Sequence, residues 1–285
     1  MNSRRYALLG SPVSGSKSPL IHHTSFVFNE INATYEAFEV LPEQLGEALK
    51  AFILEGYSGF NITIPHKETV LAFVDVLDPL AEKMGAVNTL VVRDGKIKGY
   101  NTDGLALVES LAHHGLELQG LRVLVLGAGG AAKGICHALA MAGVQRLDIH
   151  NRTLETAQAL VLTLVDQYEV DSKVFDLTEF DLAKAHKLNP YDLVINTTSV
   201  GMSPNTETLP IEPELFSKET VFCDIVYKPH ETLFLRRARA MGAKCIYGIE
   251  MLIFQALLSE QLWEDCQIDL EQTKHELFET EGLFK

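Results

Sequence analysis

The chain has 285 residues, of which 47% are hydrophobic, and a formal net charge of −14 at pH 7. This length predicts two domains, each with its own core. The acidic balance argues against nucleic acid or an anionic membrane as the main partner. No apolar run approaches the roughly 18 residues of a membrane span, and the N-terminus lacks a signal-type region, so we expect a cytoplasmic protein. The histidines and cysteines lack the spacing of a zinc site, and we expect no bound metal.

The first hundred residues combine helical and strand-like patterns. Strands are expected at 6–9, 34–40, 60–64, 86–92 and 96–101, and helices at 18–29, 42–55, 65–74 and 79–84. Asp94-Gly95 is typical of a hairpin turn. This part of the chain is therefore predicted to be an α/β domain with mixed strand directions.

From Leu105 onward, helices and strands alternate regularly. Helices are expected at 105–114, 131–141 and 154–168, and strands at 122–126, 146–150, 192–196, 221–225 and 244–247. This alternation predicts a Rossmann-type, doubly wound parallel sheet. Helices at 248–266 and 270–278 leave the alternation and are expected to pack back against the first domain. The predicted domains are 1–104 together with 248–285, and 105–247.

A glycine-rich turn follows the apolar strand at 122–126. Its sequence, Gly127-Ala128-Gly129-Gly130-Ala131-Ala132, has the G-x-G-x-x-A form of a dinucleotide fingerprint. Small residues let the backbone approach a pyrophosphate at a helix N-terminus, where free N–H groups favour anions. A tight turn that binds nothing is the alternative.

The end of the next strand bears on the choice between NAD and NADP. Asp148 has about the usual spacing from the glycines for an acid that holds a ribose hydroxyl, but we expect it inside the strand. Asn151, Arg152 and Thr153 stand at the tip and suit a 2′-phosphate. NADP is therefore favoured, with a merely solvated Arg152 as the alternative.

Lys67 has an unusual position for a lysine that serves only solubility. Pro65 ends the expected strand and suits the first turn of a helix, so Lys67 would lie where the helix dipole disfavours a cation. Such a charge commonly has a carboxylate partner or a reactive purpose. A solvated lysine that happens to follow a proline is the alternative.

Three further segments, 14–19, 86–89 and 100–104, concentrate polar residues near strand ends. They would direct hydroxyls, amides and a carboxylate toward one cleft. Each also has an ordinary explanation, because Ser18 and Asp103 could cap helices and Asn88 could satisfy a turn.

In this order, the segments resemble the shikimate dehydrogenase family over nearly the whole chain. The matching blocks are 10–19, 61–67, 85–89, 101–104, 127–130, 151–153, 196–202, 224–229 and 248–251, followed by Gln255. The resemblance implies NADPH-dependent, reversible reduction of 3-dehydroshikimate to shikimate, in the pathway that leads to chorismate and the aromatic amino acids. It implies a catalytic lysine, Lys67, as general acid and base, with Asp103 as its partner.

The resemblance also implies two sets of binding residues. The expected substrate-binding residues are Ser16, Ser18, Thr63, Lys67, Asn88, Asp103, Tyr227 and Gln255. The expected cofactor-binding residues are Gly127, Ala128, Gly129, Gly130, Ala131, Asn151, Arg152, Thr153, Thr197, Ser199, Met202, Ile225, Gly248 and Met251. The expected partner is the small-molecule substrate, with neither nucleic acid nor membrane, and the chain could form a homodimer.

Two alternatives stay open within the resemblance. Quinate carries an extra C1 hydroxyl, so a quinate or dual quinate/shikimate dehydrogenase would need a different space in the loop that binds the substrate carboxylate. The presence of both Ser16 and Ser18 favours shikimate. A non-catalytic NADP-binding regulator would need neither Lys67 nor Asp103. The chain departs from the family pattern at Gly15 and His23, where relatives commonly carry His and Asn, which puts turnover efficiency in doubt.

Overall fold

The computed structural model describes residues 3–175 and 191–280. It divides into two compact units, Met1–Asp103 with Ile253–Lys285 as unit 1 and Gly104–Leu252 as unit 2. The division after Asp103 lies one residue before the expected boundary, and the second division falls after Leu252 instead of after residue 247. Within the described ranges, no helix is both long and apolar enough to cross a membrane.

Unit 1 is built on a mixed six-stranded sheet. Its strands are β1 (Arg4–Gly10), β2 (Ala33–Glu39), β3 (Tyr57–Ile62), β4 (Val76–Leu77), β5 (Thr89–Arg93) and β6 (Lys96–Tyr100), and its first helices are α1 (Ser18–Phe28), α2 (Leu45–Leu54) and α3 (Pro79–Met84). The strand order is β2-β1-β3-β5-β6-β4. Strand β5 runs antiparallel to both β3 and β6, and the other neighbours are parallel. The mixed strand directions predicted from the sequence are confirmed.

Each face of this sheet carries a buried cluster. Successive side chains of a strand point to opposite sides of the sheet, so neighbouring residues of β1 belong to different clusters. Ala7 and Leu9 of β1 belong to one buried cluster, whereas Tyr6 and Leu8 belong to another. Trp263 packs on the second face, where it stacks on Tyr6 with ring centroids 4.4 Å apart. Its Nε1 donates a hydrogen bond to the carbonyl of Leu90 at 2.9 Å. The C-terminal segment therefore completes the core of unit 1.

The helix expected at 65–74 is wrong. The structure has only a five-residue 3-10 helix, Thr69–Phe73, and Lys67 lies in the turn before it. The physical reason is that the Lys67 carbonyl accepts a hydrogen bond from the Val87 amide at 2.8 Å. That carbonyl is therefore occupied by a distant strand connection, and the Leu71 amide bonds to Glu68 instead. The helix dipole consequently gives no reason for the position of Lys67.

Unit 2 contains an all-parallel five-stranded sheet. Its strands are β7 (Arg122–Leu126), β8 (Arg146–His150), β9 (Leu193–Asn196), β10 (Val221–Asp224) and β11 (Cys245–Tyr247). The remaining α-helices within residues 3–175 and 191–280 are α4 (Asp103–His113), α5 (Gly130–Met141), α6 (Leu154–Gln167), α7 (Leu233–Ala240), α8 (Gly248–Glu264) and α9 (Leu270–Glu279). The strand order is β8-β7-β9-β10-β11, which confirms the predicted doubly wound parallel sheet.

The outer edge of β8 carries a remnant of one more strand. Arg146 and Ile149 form isolated parallel bridges to Asp171 and Val174. These bridges occupy the place of the third strand in the Rossmann order 3-2-1-4-5-6. The strand order reverses between β7 and β9, and such sheets bind their ligands at this point, outside the carboxyl ends of the strands.

Candidate active site

Lys67 and Asp103 meet in unit 1. Lys67 follows β3, and Asp103 follows β6 at the first residue of α4. The Lys67 Nζ donates to Asp103 Oδ2 at 2.5 Å, with the two side chains 30% and 13% exposed. The ammonium is therefore held at the surface of unit 1 by a largely buried carboxylate, which leaves it accessible to a small molecule.

Asn88 fixes the other oxygen of that carboxylate. Its Nδ2 donates to Asp103 Oδ1 at 2.8 Å, and its Oδ1 accepts from the Thr102 amide at 2.8 Å. Asn88 is 2% exposed. The Asp103 amide donates to Asn101 Oδ1 at 3.1 Å. The contacts of Asn88 join the chain before β5 to the chain after β6, and Asp103 is the first residue of α4, so the turn and cap explanations do not account for Asn88 and Asp103.

Residues 14–18, here called the serine loop, lead into α1 in the same unit. Ser18 is the first residue of the helix and not the residue before it, and its amide donates to Ser16 Oγ at 3.2 Å. The Ser16 hydroxyl proton stays available for an acceptor because only its oxygen is used in this bond. A side chain at Gly15 would meet no atom within 4 Å, so the loop carries open space beside its serines.

Thr63 and Gln255 also belong to unit 1. Thr63 packs against Gly10, where an added Cβ would lie 2.2 Å from Thr63 Cγ2. Glycine at position 10 is therefore required for the approach of β1 to the turn that follows β3. The Gln255 carbonyl accepts from Thr102 Oγ1 at 3.2 Å, which anchors Gln255 beside the residue preceding Asp103.

In unit 2, the glycine turn joins β7 to α5. Gly127 has φ +116°, and an added Cβ would lie 2.5 Å from Thr197 Oγ1, so both conformation and space require glycine. Gly129 and Gly130 are exposed, and an added Cβ at either would meet nothing within 4 Å. The turn therefore presents open backbone at a helix N-terminus, which fits a pyrophosphate.

The other expected cofactor residues follow neighbouring strands of the same sheet. Asn151, Arg152 and Thr153 follow β8, Thr197, Ser199 and Met202 follow β9, Ile225 follows β10, and Gly248 and Met251 begin α8 directly after β11. Because the strands are parallel, their carboxyl ends meet at one edge of the sheet. The structure therefore brings this whole set to a single edge of unit 2, although Met251 is buried there.

The positions and partners of Asp148 and Arg152 favour NADP over NAD. Asp148 lies in the middle of β8 with no exposed surface, and its Oδ2 accepts from Arg146 Nε at 2.8 Å and from the Tyr191 hydroxyl. It cannot reach a ribose from there. Arg152 is exposed and has no hydrogen-bond or ion-pair partner among residues 3–175 and 191–280.

Asp224, at the end of β10, joins two of the loops on this edge. Its Oδ1 accepts from Asn196 Nδ2 at 3.0 Å and from the Val226 amide at 2.9 Å, and its Oδ2 accepts from Thr232 Oγ1 at 2.7 Å. Burial raises the pKa of Asp224 to about 7. Tyr227 follows in the same loop and is 36% exposed. It belongs to unit 2, unlike the other expected substrate residues.

Sequence reasoning missed the polar groups beneath the unit 1 site. Asn61, Thr89, Thr102 and Ser259 are buried and hydrogen-bonded to one another or to Asn88. In the sequence, the signal for these groups is a polar residue flanked by apolar residues within a strand, as Asn61 is in β3. Among the described residues, no group of three or more His, Cys, Asp and Glu side chains could hold a metal ion.

Comparisons with known proteins agree with this architecture. The family model described as the shikimate dehydrogenase substrate binding domain matches residues 8–90, and the model described as shikimate/quinate 5-dehydrogenase matches residues 110–225. A relative named shikimate dehydrogenase (NADP(+)), from Caldanaerobacter subterraneus subsp. tengcongensis, is 42% identical over 258 residues, which are 90% of each chain.

Solved structures are similar over nearly the full length. Shikimate 5-dehydrogenase from Thermus thermophilus, in complex with NADP(H) and shikimate, has a TM-score of 0.84 at 33% identity, covering 96% of this chain and 98% of that one. The ligand-free 5-ketofructose reductase of a Gluconobacter species has a TM-score of 0.88 at 29% identity, covering 97% and 98%. The resemblance found in the sequence is thus confirmed, and the chain belongs to the shikimate dehydrogenase family of oxidoreductases.

Proposed function

We propose that this protein is an NADP-dependent shikimate dehydrogenase that interconverts 3-dehydroshikimate and shikimate. The observation that carries the proposal is the contact between Lys67 Nζ and Asp103 Oδ2 at 2.5 Å. Neither residue is needed to hold a nucleotide, because the nucleotide features lie in unit 2. The pair is therefore best explained by proton transfer to or from a bound substrate.

Lys67 acts as the general acid in the direction of reduction. NADPH, when bound, supplies the hydride that converts the C3 ketone into an alkoxide. The Lys67 ammonium gives one proton to that oxygen, so ketone, hydride and proton together yield the alcohol. In the reverse direction the amine accepts the proton of the C3 hydroxyl. Asp103 orients Nζ, and Asn88 in turn holds Asp103 through its second oxygen.

The substrate is recognised by neutral polar groups as well as by Lys67. Ser16 and Ser18 are proposed to bind the carboxylate, and Thr63, Asn88, Asp103 and Gln255 to hold the ring hydroxyls. Hydroxyl groups can donate to a carboxylate without a fixed charge, and amides both donate to and accept from vicinal hydroxyls. Unit 1 is accordingly proposed as the substrate-binding domain.

Unit 2 is proposed as the NADP-binding domain. The open backbone at Gly129 and Gly130 would hold the pyrophosphate, and Arg152, with Asn151 and Thr153, would hold the 2′-phosphate. Burial of Asp148 leaves no acid at the strand tip to compete for the ribose. Relatives whose names specify NADP(+), and one solved with NADP(H), support this choice.

One assay tests the proposal against its rivals. Absorbance at 340 nm would be followed with shikimate or quinate as substrate and NADP+ or NAD+ as acceptor, and in the reverse direction with 5-ketofructose and NADPH. We expect the highest kcat/KM for shikimate with NADP+. A higher value for quinate would favour a quinate dehydrogenase, and reduction of 5-ketofructose alone would assign the protein to the other activity found among its structural relatives. Binding of NADPH without turnover of any substrate would favour a regulator.

A further inference from the structure

A buried polar network underlies the unit 1 site, and Asn61 is its branching point. Asn61 lies near the end of β3 and is 4% exposed. Its Oδ1 accepts from the Tyr35 hydroxyl at 2.8 Å and from His22 Nε2 at 3.1 Å. Its Nδ2 lies 3.0 Å from Ser259 Oγ and 3.3 Å from Thr89 Oγ1. Both ends of the amide are therefore fully engaged.

One arm of the network leads to the serine loop. Burial raises the pKa of Tyr35, and a side-chain interaction with Ser18 opposes that rise; because the Tyr35 hydroxyl donates to Asn61, its oxygen is the atom that can accept from Ser18. If Asn61 lost its carbonyl, the buried Tyr35 proton would need another acceptor. Ser18, whose side chain interacts with Tyr35 and which is proposed to bind the substrate carboxylate, would be that acceptor.

The other arm leads to Asp103 and Lys67, at the end of the proposed substrate site where the proton is transferred. Thr89 Oγ1 donates to Asn88 Oδ1 at 3.0 Å, and Asn88 Nδ2 donates to Asp103 Oδ1 at 2.8 Å. Asp103 holds Lys67. The side chain of Asn61 is thus connected by hydrogen bonds to Asp103 and, through Tyr35, to Ser18, and these residues are proposed to bind opposite ends of the substrate.

A buried pair, His22 and Glu260, fixes the orientation of Asn61. Both side chains are fully buried, with His22 Nδ1 2.6 Å from Glu260 Oε1. An amide oxygen only accepts, so His22 Nε2 must carry the proton that it shares with Asn61 Oδ1. Glu260 Oε2 accepts from the Ser25 hydroxyl at 2.6 Å, and burial raises the pKa of Glu260. With one proton shared between His22 Nδ1 and Glu260, the pair is neutral overall, and it holds the His22 ring in place.

We propose that Asn61, oriented by the buried His22–Glu260 pair, is the positioning residue that sets the carboxylate-binding and proton-transferring ends of the substrate site at a fixed separation. Three elements converge on it: His22 lies on α1, which begins with Ser18, Glu260 lies on α8, which carries Gln255, and β3 leads directly to Thr63. The proposal rests on the proposed function, because the two ends are defined by shikimate.

The test compares steady-state constants of the wild-type protein with those of Asn61→Leu and Tyr35→Phe. Asn61→Leu keeps a similar volume but leaves the Tyr35 and His22 donors without an acceptor. We expect the KM for shikimate to rise by about tenfold or more while the KM for NADP+ stays within about twofold. Tyr35→Phe removes one hydroxyl and keeps the ring that stacks on His22 at 4.0 Å; it should raise the same KM by a smaller factor.

A control separates positioning from mere stability. Asp78→Ala removes the side-chain oxygen that caps α3 by accepting from the Leu80 amide at 3.0 Å, and Asp78 belongs to neither arm of the network. It should lower the melting temperature without changing the KM for shikimate. An unchanged KM in both Asn61→Leu and Tyr35→Phe, with active wild-type protein, would overturn the positioning role.

Crystal structures of the two variants test the inference independently of the steady-state kinetics. Wild-type protein that turns over no shikimate would refute the proposed function, and the structures of Tyr35→Phe and Asn61→Leu would then decide the positioning claim. We expect the Ser18 side chain to change rotamer in both variants and the Asn88 amide to shift in Asn61→Leu. Side chains unmoved in both variants would overturn the inference even if the proposed function stands.

Discussion

Replacing Lys67 with alanine removes the ammonium that lies 2.5 Å from Asp103 Oδ2. The change leaves the rest of the proposed substrate site in place, because Asp103 keeps its 2.8 Å bond from Asn88 and the serine loop is untouched. Substrate binding should therefore be weakened little. The developing alkoxide, by contrast, would have to take its proton from water.

A positioned proton donor typically contributes a factor of about 100 to 10,000 in rate. We expect kcat to fall by at least about a hundredfold, equivalent to roughly 2.7 kcal/mol of transition-state stabilisation. The KM for shikimate should change by less than about threefold, because most of the contacts to the substrate do not involve Nζ.

The measurement is NADPH formation at 340 nm with saturating shikimate, repeated as a single turnover so that slow product release does not mask the chemical step. Lys96→Ala is the matched control, since Lys96 is an exposed lysine of the hairpin between β5 and β6. A circular dichroism melt would check that both variants are folded. If Lys67→Ala turned over at the wild-type rate, Lys67 would not be the proton donor and the proposed mechanism would be wrong.

Three further predictions concern unit 2 and the serine loop. Arg152→Ala should raise the KM for NADPH by about tenfold or more and leave that for NADH nearly unchanged; equal losses would remove the phosphate-binding role. Gly15→Ala adds a methyl group in open space and should raise the free energy of unfolding by about 0.4–1 kcal/mol in urea titrations, whereas a loss would show that the loop needs glycine. Burial raises the pKa of Asp224 to about 7, so the folded protein binds a proton that the unfolded chain releases. Its contribution to stability should be complete below about pH 4 and fall away as the pH rises to about 7. Asp224→Asn should remove that part of the pH dependence, and an unchanged profile would contradict it.

The elements best predicted from the sequence were those with strong local signals. The bounds expected for β7 and β8, 122–126 and 146–150, match the structure, because short apolar runs bounded by glycine and polar turns are typical of buried parallel strands. The glycine turn at Gly127 was equally predictable, because a backbone φ of +116° is one that only glycine adopts easily.

Other features depended on partners far along the chain. The helix expected around Lys67 failed because the Val87 amide takes the Lys67 carbonyl. The two-residue β4 and the eight-residue α7 were not predicted. A two-residue strand carries too little periodicity to identify, whereas α7 has an amphipathic pattern, with Phe234, Leu235 and Ala238 buried, that the sequence does contain. His22 and Glu260 are 238 residues apart, and no local pattern could pair them. The family resemblance found Lys67 and Asp103, and its block 61–67 includes Asn61 but assigns it no role, because that role depends on tertiary contacts.

The stacking of Trp263 on Tyr6 has a consequence for how the chain acquires its structure. Unit 2 is one continuous segment, Gly104–Leu252, whereas unit 1 is completed by residues from Ile253 onward. During synthesis, unit 2 can therefore fold first, while one face of the unit 1 sheet still lacks the packing of Trp263. Trp263 is the single tryptophan of the chain. Its fluorescence should report the moment at which the two ends of the polypeptide join, without interference from the folding of unit 2.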